Sequence, residues 1–174
     1  MTRRPRPRRL PPSFFARDAT EVAPALLHKL LRVAGTAGSV DARICEVEAY
    51  TADDPASHSF RGPTPRNAVM FGPPGRLYVY FVYGMHHCVN VVTGRTGDGQ
   101  AVLIRAVVVD GVPSRRTDGP GKLTRVLGID RSHDGDDAVV IDDGAPVPSV
   151  VPTPRIGISR AVEWPRRWQA PWEG

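Results

Sequence analysis

The chain has 174 residues, enough to bury one substantial core, and no long polar linker divides it into halves that could fold separately. With 23 lysines and arginines against 18 aspartates and glutamates the net charge is +5, which favours a polyanionic partner but suits many ordinary soluble proteins too. No apolar run is long enough to span a bilayer, and the basic opening leads into Leu10-Pro11-Pro12 rather than the apolar stretch of a secretory signal.

Arg3, Arg4, Arg6, Arg8 and Arg9 stand among prolines in residues 1–12, a composition that predicts a disordered basic tail, either merely solvated or laid along phosphates. Residues 13–174 are expected to form the single domain. Asp18 or Thr20 caps a helix predicted to run to about Val33, with Val22, Leu26, Leu27, Leu30 and Leu31 as its apolar side and Pro24 tolerable only near its first turn. From Ala42 to Tyr50 the pattern alternates. It predicts a strand with Cys45, Val47 and Ala49 on one face and Ile44, Glu46, Glu48 and Tyr50 on the other. That second face is either a solvated outer surface or a place where two carboxylates and a tyrosine act together.

A polar loop follows through Asp53, Asp54, Ser57 and His58, and Thr64-Pro65 predicts the start of a short helix. Arg76 to Asn90 is crowded with β-branched and aromatic residues, is broken at Tyr83-Gly84, and reads as two strands joined by a tight hairpin. A tyrosine at that tip suits a wedge that unstacks nucleic acid, although this segment alone fits ordinary sheet aromatics at Tyr78, Tyr80 and Tyr83 better. His86-His87-Cys88 invites a zinc site, but adjacent strand residues face opposite ways and no ligand spacing follows, so no metal is expected. Cys45 and Cys88 both lie in apolar strand-like segments, where reduced packing residues are favoured over a disulfide. This points to the cytoplasm, and to the nucleoid if the source is prokaryotic.

Ala101 to Val109 is a further apolar strand. Its one charge, Arg105, needs a carboxylate or phosphate partner if buried, and Glu46 and a nucleotide are the two candidates. Gly119-Pro120-Gly121-Lys122 opens a short helix to Leu127, closed by Gly128, and its amides together with Lys122 could hold a phosphate. A brief strand, Ala138 to Ile141, sits between acidic turns that lack calcium-loop spacing. Arg155 to Ile158 is the last predicted strand. Trp164, Trp168 and Trp172 among arginines either grip nucleic acid or tuck against the core.

Glu46-Val47-Glu48-Ala49-Tyr50, Asp54-Pro55-Ala56-Ser57-His58, Thr64-Pro65-Arg66-Asn67, Met70-Phe71-Gly72, Leu77-Tyr78-Val79-Tyr80, Tyr83-Gly84-Met85 and Asn90 form an ordered series. The series closely resembles the alkyladenine (3-methyladenine) DNA glycosylase family, from about Phe14 to the C-terminus. One departure is Leu27-His28-Lys29, where such proteins often carry Leu-Gly-Lys. The resemblance implies an α+β fold: a single domain built on a curved, mainly antiparallel sheet with flanking helices and a protruding β-hairpin. It implies a monofunctional base-excision repair enzyme, a monomer acting on double-stranded DNA that carries damaged purines of the 3-methyladenine, 7-methylguanine, hypoxanthine and ethenoadenine class. No cofactor, metal or membrane enters that picture. On this basis Glu48 would be the general base that activates water, and Arg105 would help position that water or the backbone beside it. Tyr50, His58 and Tyr80 would hold the extruded base, and Asn90 would line the pocket floor against the exocyclic amine of guanine. Tyr83 would fill the gap left in the duplex, and Arg66, Gly121 and Lys122 are candidates for phosphate contacts.

The chemistry asks for such a set. Methylation at N3 or N7 already charges the purine, so the slow part is delivering water to the sugar C1′, which a carboxylate can do. Aromatic walls suit an electron-poor base. A lyase step would need a pocket lysine, and only Lys29 and Lys122 exist, both outside the site motifs. The alternatives are a non-catalytic nucleic-acid-binding module with the same basic and aromatic surface, and a sugar hydrolase pairing Glu46 with Glu48. The second gives Tyr83 no role.

Overall fold

The computed structural model describes residues 5–173. In chain order its elements are β1 (Arg8–Arg9), α1 (Pro12–Phe15), α2 (Ala19–Leu26), β2 (Leu30–Gly35), β3 (Gly38–Tyr50), a 3-10 turn (Ala68–Phe71), β4 (Leu77–Val82), β5 (His86–Thr93), β6 (Gln100–Val108), α3 (Pro120–Leu127), β7 (Val139–Asp142) and β8 (Arg167–Gln169). The strands form one curled antiparallel sheet in the order β1-β7-β2-β3-β6-β5-β4. β3 is its spine: β2 pairs with its first half, β6 with its second, and β8 takes the edge beyond the end of β2.

Alternation along the central strands decides which face meets the core. Val47, Val89, Val91, Val102 and Ile104 are fully buried in one cluster with Val22, Leu26 and Leu123 from α2 and α3. Each such side chain contributes about 1.5–3 kcal/mol relative to exposure. Their neighbours point to the other face. There, Glu48, Leu103, Asn90 and Tyr78 are successive cross-strand partners in one row across β3, β6, β5 and β4. The domain is α+β, as the resemblance implied.

Four expectations need correction. The helix meant to reach Val33 stops at Leu26, and Leu30 to Arg32 pair with both β3 and β7. The leucines fit either period, and two flanking strands outweigh helical propensity once His28 has turned the chain at φ +65°. Ile44 was expected beside Glu48. Irregular pairing between Ile44 and Val47 reverses the phase of β3 and puts Ile44 in the core with Val47 and Ala49. Thr64-Pro65 starts no helix, because the Asn67 side chain accepts the Thr64 N–H at 2.6 Å and holds residues 64–67 as a turn. Arg155 to Ile158 is not a strand: Pro152 and Pro154 lack N–H donors, Gly157 sits at φ +76°, and β8 pairs with β3 instead.

The basic tail also differs at its inner end. Arg8 and Arg9 form β1 on β7, Leu10 is buried, and the two guanidinium groups reach Asp142 at 3.7 Å and Asp137 at 3.6 Å. Arg3 and Arg4 lie outside the described residues. None of the described helices is long and apolar enough to cross a membrane.

Candidate active site

On the face of the sheet opposite α2 and α3 lies a cavity of about 540 Å³. Glu48, Tyr50, His58, Tyr80, Tyr83, Asn90 and Arg105 all line it, together with residues 156–160. Residues from four strands and three loops thus meet, because alternation on β3, β4, β5 and β6 sends their polar and aromatic side chains to this face.

Glu48 is fully buried. Tyr50 O–H donates to its Oε1 at 2.9 Å, the Ile156 N–H donates to Oε2 at 2.8 Å, and Arg105 Nη1 stands 3.6 Å from Oε1. Burial pushes the Glu48 carboxyl above its ordinary value, against the opposing pull of Arg105, the Ile156 amide and Tyr50. Burial, with the adjacent Glu48, likewise raises the Tyr50 hydroxyl and keeps it a donor. Arg105 Nε donates to Glu46 Oε1 at 3.2 Å, and Arg167 Nη1 reaches the same oxygen at 3.0 Å. Of the two partners considered for Arg105, Glu46 is in contact with it, and Glu48 is a second carboxylate partner. Glu46 does not line the cavity, so the two acids do not flank one space as a sugar hydrolase would need.

One side of the cavity has aromatic walls. The His58 and Tyr80 rings are 4.4 Å apart, Tyr78 and Tyr80 5.4 Å, and His58 Nδ1 shares a 2.9 Å hydrogen bond with the Tyr78 hydroxyl. Desolvation by these rings and the charge of Arg66 hold the His58 imidazole below its ordinary value, while burial pushes Tyr78 up to about 12. A neutral imidazole that accepts from Tyr78 carries its proton on Nε2. The His58 loop is held by Asn67, whose amide donates to the carbonyls of His58 at 3.0 Å and Gly62 at 3.2 Å. Asn90 is buried and fixed by its donation to the Tyr78 carbonyl at 3.1 Å. Tyr78 as a site residue was missed, although it lies two residues before Tyr80 and so on the same face. The Ile156 amide left no trace in the side-chain pattern.

At the rim, Tyr83 is 86% exposed, and Met85 and Phe81 beside it are also open to solvent. Met85 N–H bonds the Val82 carbonyl at 3.1 Å across Tyr83 (φ +53°) and Gly84 (φ +63°), the backbone of a tight primed turn. Glycine adopts this freely, whereas a tyrosine there is strained, and such strain concentrates at functional tips.

A model of the methylpurine-DNA glycosylase family matches residues 13–173. The chain belongs to that family. Relatives whose names carry the words 3-methyladenine DNA glycosylase agree. The one from Burkholderia lata is 48% identical, covering 93% of this chain and 87% of that protein. That from Anaeromyxobacter dehalogenans strain 2CP-1 is 49% identical over 94% and 80%, and that from Myxococcus xanthus 49% over 89% and 84%. The protein is accordingly a hydrolytic DNA glycosylase of alkylation repair, with DNA as its substrate.

Beside the glycosylase cavity runs a second groove of about 590 Å³, lined by Arg61, Arg66, Arg131 and Arg160 among others. Of these four, Arg131 alone reaches a carboxylate among the described residues, Asp134 at 3.9 Å. Gly121 and Lys122 line neither space. A Cβ on Gly121 would stand 2.8 Å from the His86 ring, and Lys122 pairs with Asp118 at 2.8 Å. His87 packs against Phe81, so the adjacent histidines serve different neighbours.

Proposed function

We propose that this glycosylase rotates an alkylated or deaminated purine of the 3-methyladenine, 7-methylguanine, hypoxanthine and ethenoadenine class out of duplex DNA and hydrolyses its N-glycosidic bond, leaving an abasic site. The observation that carries it is the joining of a buried, doubly hydrogen-bonded Glu48 to an aromatic slot whose rim bears an exposed tyrosine. Tyr83 enters the duplex and takes the room of the departed nucleotide. Tyr50, His58 and Tyr80 enclose the base, and where methylation at N3 or N7 has made it cationic its charge strengthens stacking on the rings by about 1–2 kcal/mol. Asn90 stands at the floor, where the exocyclic amine of a normal guanine would meet it.

Glu48, ionised, removes a proton from water as the bond to C1′ breaks and that bond's electron pair leaves with the purine. A methylpurine cation departs neutral, and a neutral hypoxanthine or ethenoadenine takes up a proton from solvent. The carboxylate's charge favours the oxocarbenium-like sugar. Arg105 holds Glu48 and Glu46 in register, and Arg66 offers a phosphate contact. Lys29 is buried on Asp142 at 2.9 Å and Lys122 is bound to Asp118, so neither amine reaches the slot and no lyase step follows. The test is a duplex carrying one hypoxanthine or ethenoadenine. Wild type should release the free base and leave an intact abasic strand. Glu48→Gln should lose about 100- to 10,000-fold in release while still binding the lesion duplex. Release from Glu48→Gln as fast as from wild type would remove Glu48 from the mechanism.

A further inference from the structure

Next to the cavity but outside its lining, Asp54 and Arg155 form a salt bridge in which neither side chain has any solvent exposure. Arg155 Nη2 donates to Asp54 Oδ1 at 3.0 Å and Nη1 to the Ala49 carbonyl at 3.1 Å, while Nε is buried without a partner. Stability is a poor reason for such a pair. Taking two charges out of water is a penalty that their attraction at best offsets, and well-packed apolar residues would hold the place as firmly. The unpaired N–H adds to that penalty.

Apolar residues could not fix directions, and here three directions are fixed at once. The Arg155 guanidinium lies 4.7 Å from the centre of the Tyr50 ring. The next amide in the chain, Ile156 N–H, is the donor that holds Glu48 Oε2 at 2.8 Å. Asp54 Oδ1 accepts the Ala56 N–H at 2.9 Å where the loop carrying His58 begins. The carboxylate, the slot wall and the histidine loop all run back to one pair.

We propose that Asp54 and Arg155 are positioning residues for base excision: the pair aims the Ile156 amide at Glu48 and seats the Tyr50 ring, so that acid and slot wall keep one orientation. Neither touches the base. Because this rests on Glu48 as the general base, the test must separate the two. The groups facing Glu48 are Tyr50 from β3, Arg105 from β6, Cys88 from β5 and Arg155, with Glu46 and Arg167 tied to it through Arg105.

Single-turnover release from a hypoxanthine or ethenoadenine duplex is measured between about pH 5 and 9, with lesion-duplex affinity and a thermal melt to count folded protein. Asp54→Asn/Arg155→Gln removes both charges of the pair together and leaves Arg166, 3.7 Å from Asp54 Oδ2, on its hydrogen bond to Thr51 Oγ1. It should slow release about 10- to 100-fold per folded molecule, with affinity within about three-fold of wild type. Its acid limb should also move to higher pH, because ionised Glu48 has lost a firm amide donor and a nearby cation. Arg155→Lys, which keeps the cation, should recover part of both. A merely structural pair would lower the melting temperature and leave the limb where it was. The proposal is overturned if the double variant, per folded molecule, keeps the wild-type limb and a rate within about two-fold. Should the double variant not fold, Arg155→Lys decides on the same terms, with wild-type rate and limb counting against the pair. A wild type that releases neither base overturns the proposed function, and this inference with it.

Discussion

A single carboxyl carries most of the proposed chemistry, and its surroundings set a pH dependence. Glu48 must be ionised to take a proton from water, and burial raises its pKa despite Arg105, Ile156 N–H and Tyr50. As pH falls through that raised value the base is lost. Excision of hypoxanthine should therefore decline on an acid limb lying above the range of a solvated glutamate. Tyr50→Phe removes a donor to the ionised form and should move the limb higher still; a limb at the ordinary carboxylate position in both proteins would disprove the assignment. His28 tests residue-scale bookkeeping of another kind. A non-glycine at φ +65° is strained by about 1–2 kcal/mol, so glycine would relieve it. Against this, the ring contacts the Pro146 and Pro171 carbonyls at 3.2 and 3.1 Å and packs edge-on to Trp172. Those contacts and the entropy of an added glycine sum to somewhat more, about 2–3 kcal/mol. His28→Gly should lower stability by about 1 kcal/mol in urea unfolding and leave excision per folded molecule unchanged. Alternation along β3 placed Glu48 and Tyr50 on one face, whereas the roles proposed for them and for His58, Tyr80, Tyr83, Asn90 and Arg105 came from the family resemblance. The roles of the Ile156 amide, Asp54 and Arg155 were legible in neither: their contacts join residues about a hundred positions apart, which no local pattern announces.

Among the elements, the hairpin of β4 and β5 was readable end to end, since β-branched and aromatic residues flank Tyr83-Gly84, whose left-handed turn the glycine favours. α3 was readable too, from Pro120 at its first position to Gly128 at φ +69°. β2 was not, because Leu26, Leu27, Leu30 and Leu31 satisfy a helical period as well as a strand. Only the pairing with β3 and β7 settles it. The hairpin tip yields the prediction at this scale. Tyr83, Met85 and Phe81 put an apolar edge in water, an unfavourable arrangement unless a partner covers it. Tyr83→Ala should weaken retention of the rotated base by about ten-fold, as release kinetics of a fluorescent ethenoadenine duplex would report, while affinity for intact duplex changes little. Equal losses on damaged and intact DNA would mean that the ring adds only general contact area.

Across the whole molecule, charge is arranged rather than merely in excess. Basic side chains away from the cavity are paired with the sheet's own acids, as Arg8 and Lys29 are with Asp142 and Arg43 with Asp143. Three of those near the cavity are not, although Arg105 and Arg155 are paired with acids. Arg61, Arg66 and Arg160 share one groove with no carboxylate within 4.0 Å among the described residues, and they stand on the same side as the tyrosine tip. A surface that keeps three cations unpaired next to an exposed aromatic tip is suited to a phosphate backbone, whose bound counterions are released on contact. Each phosphate neutralised adds about 0.9 to the slope of log affinity against log salt. Arg66→Gln should therefore weaken damaged and intact duplexes by the same factor and reduce the salt slope by about 1, leaving single-turnover release at saturating enzyme near that of wild type. A loss confined to lesion duplex, with an unchanged slope, would instead place Arg66 in the pocket, acting through His58, whose imidazole its charge already disfavours protonating.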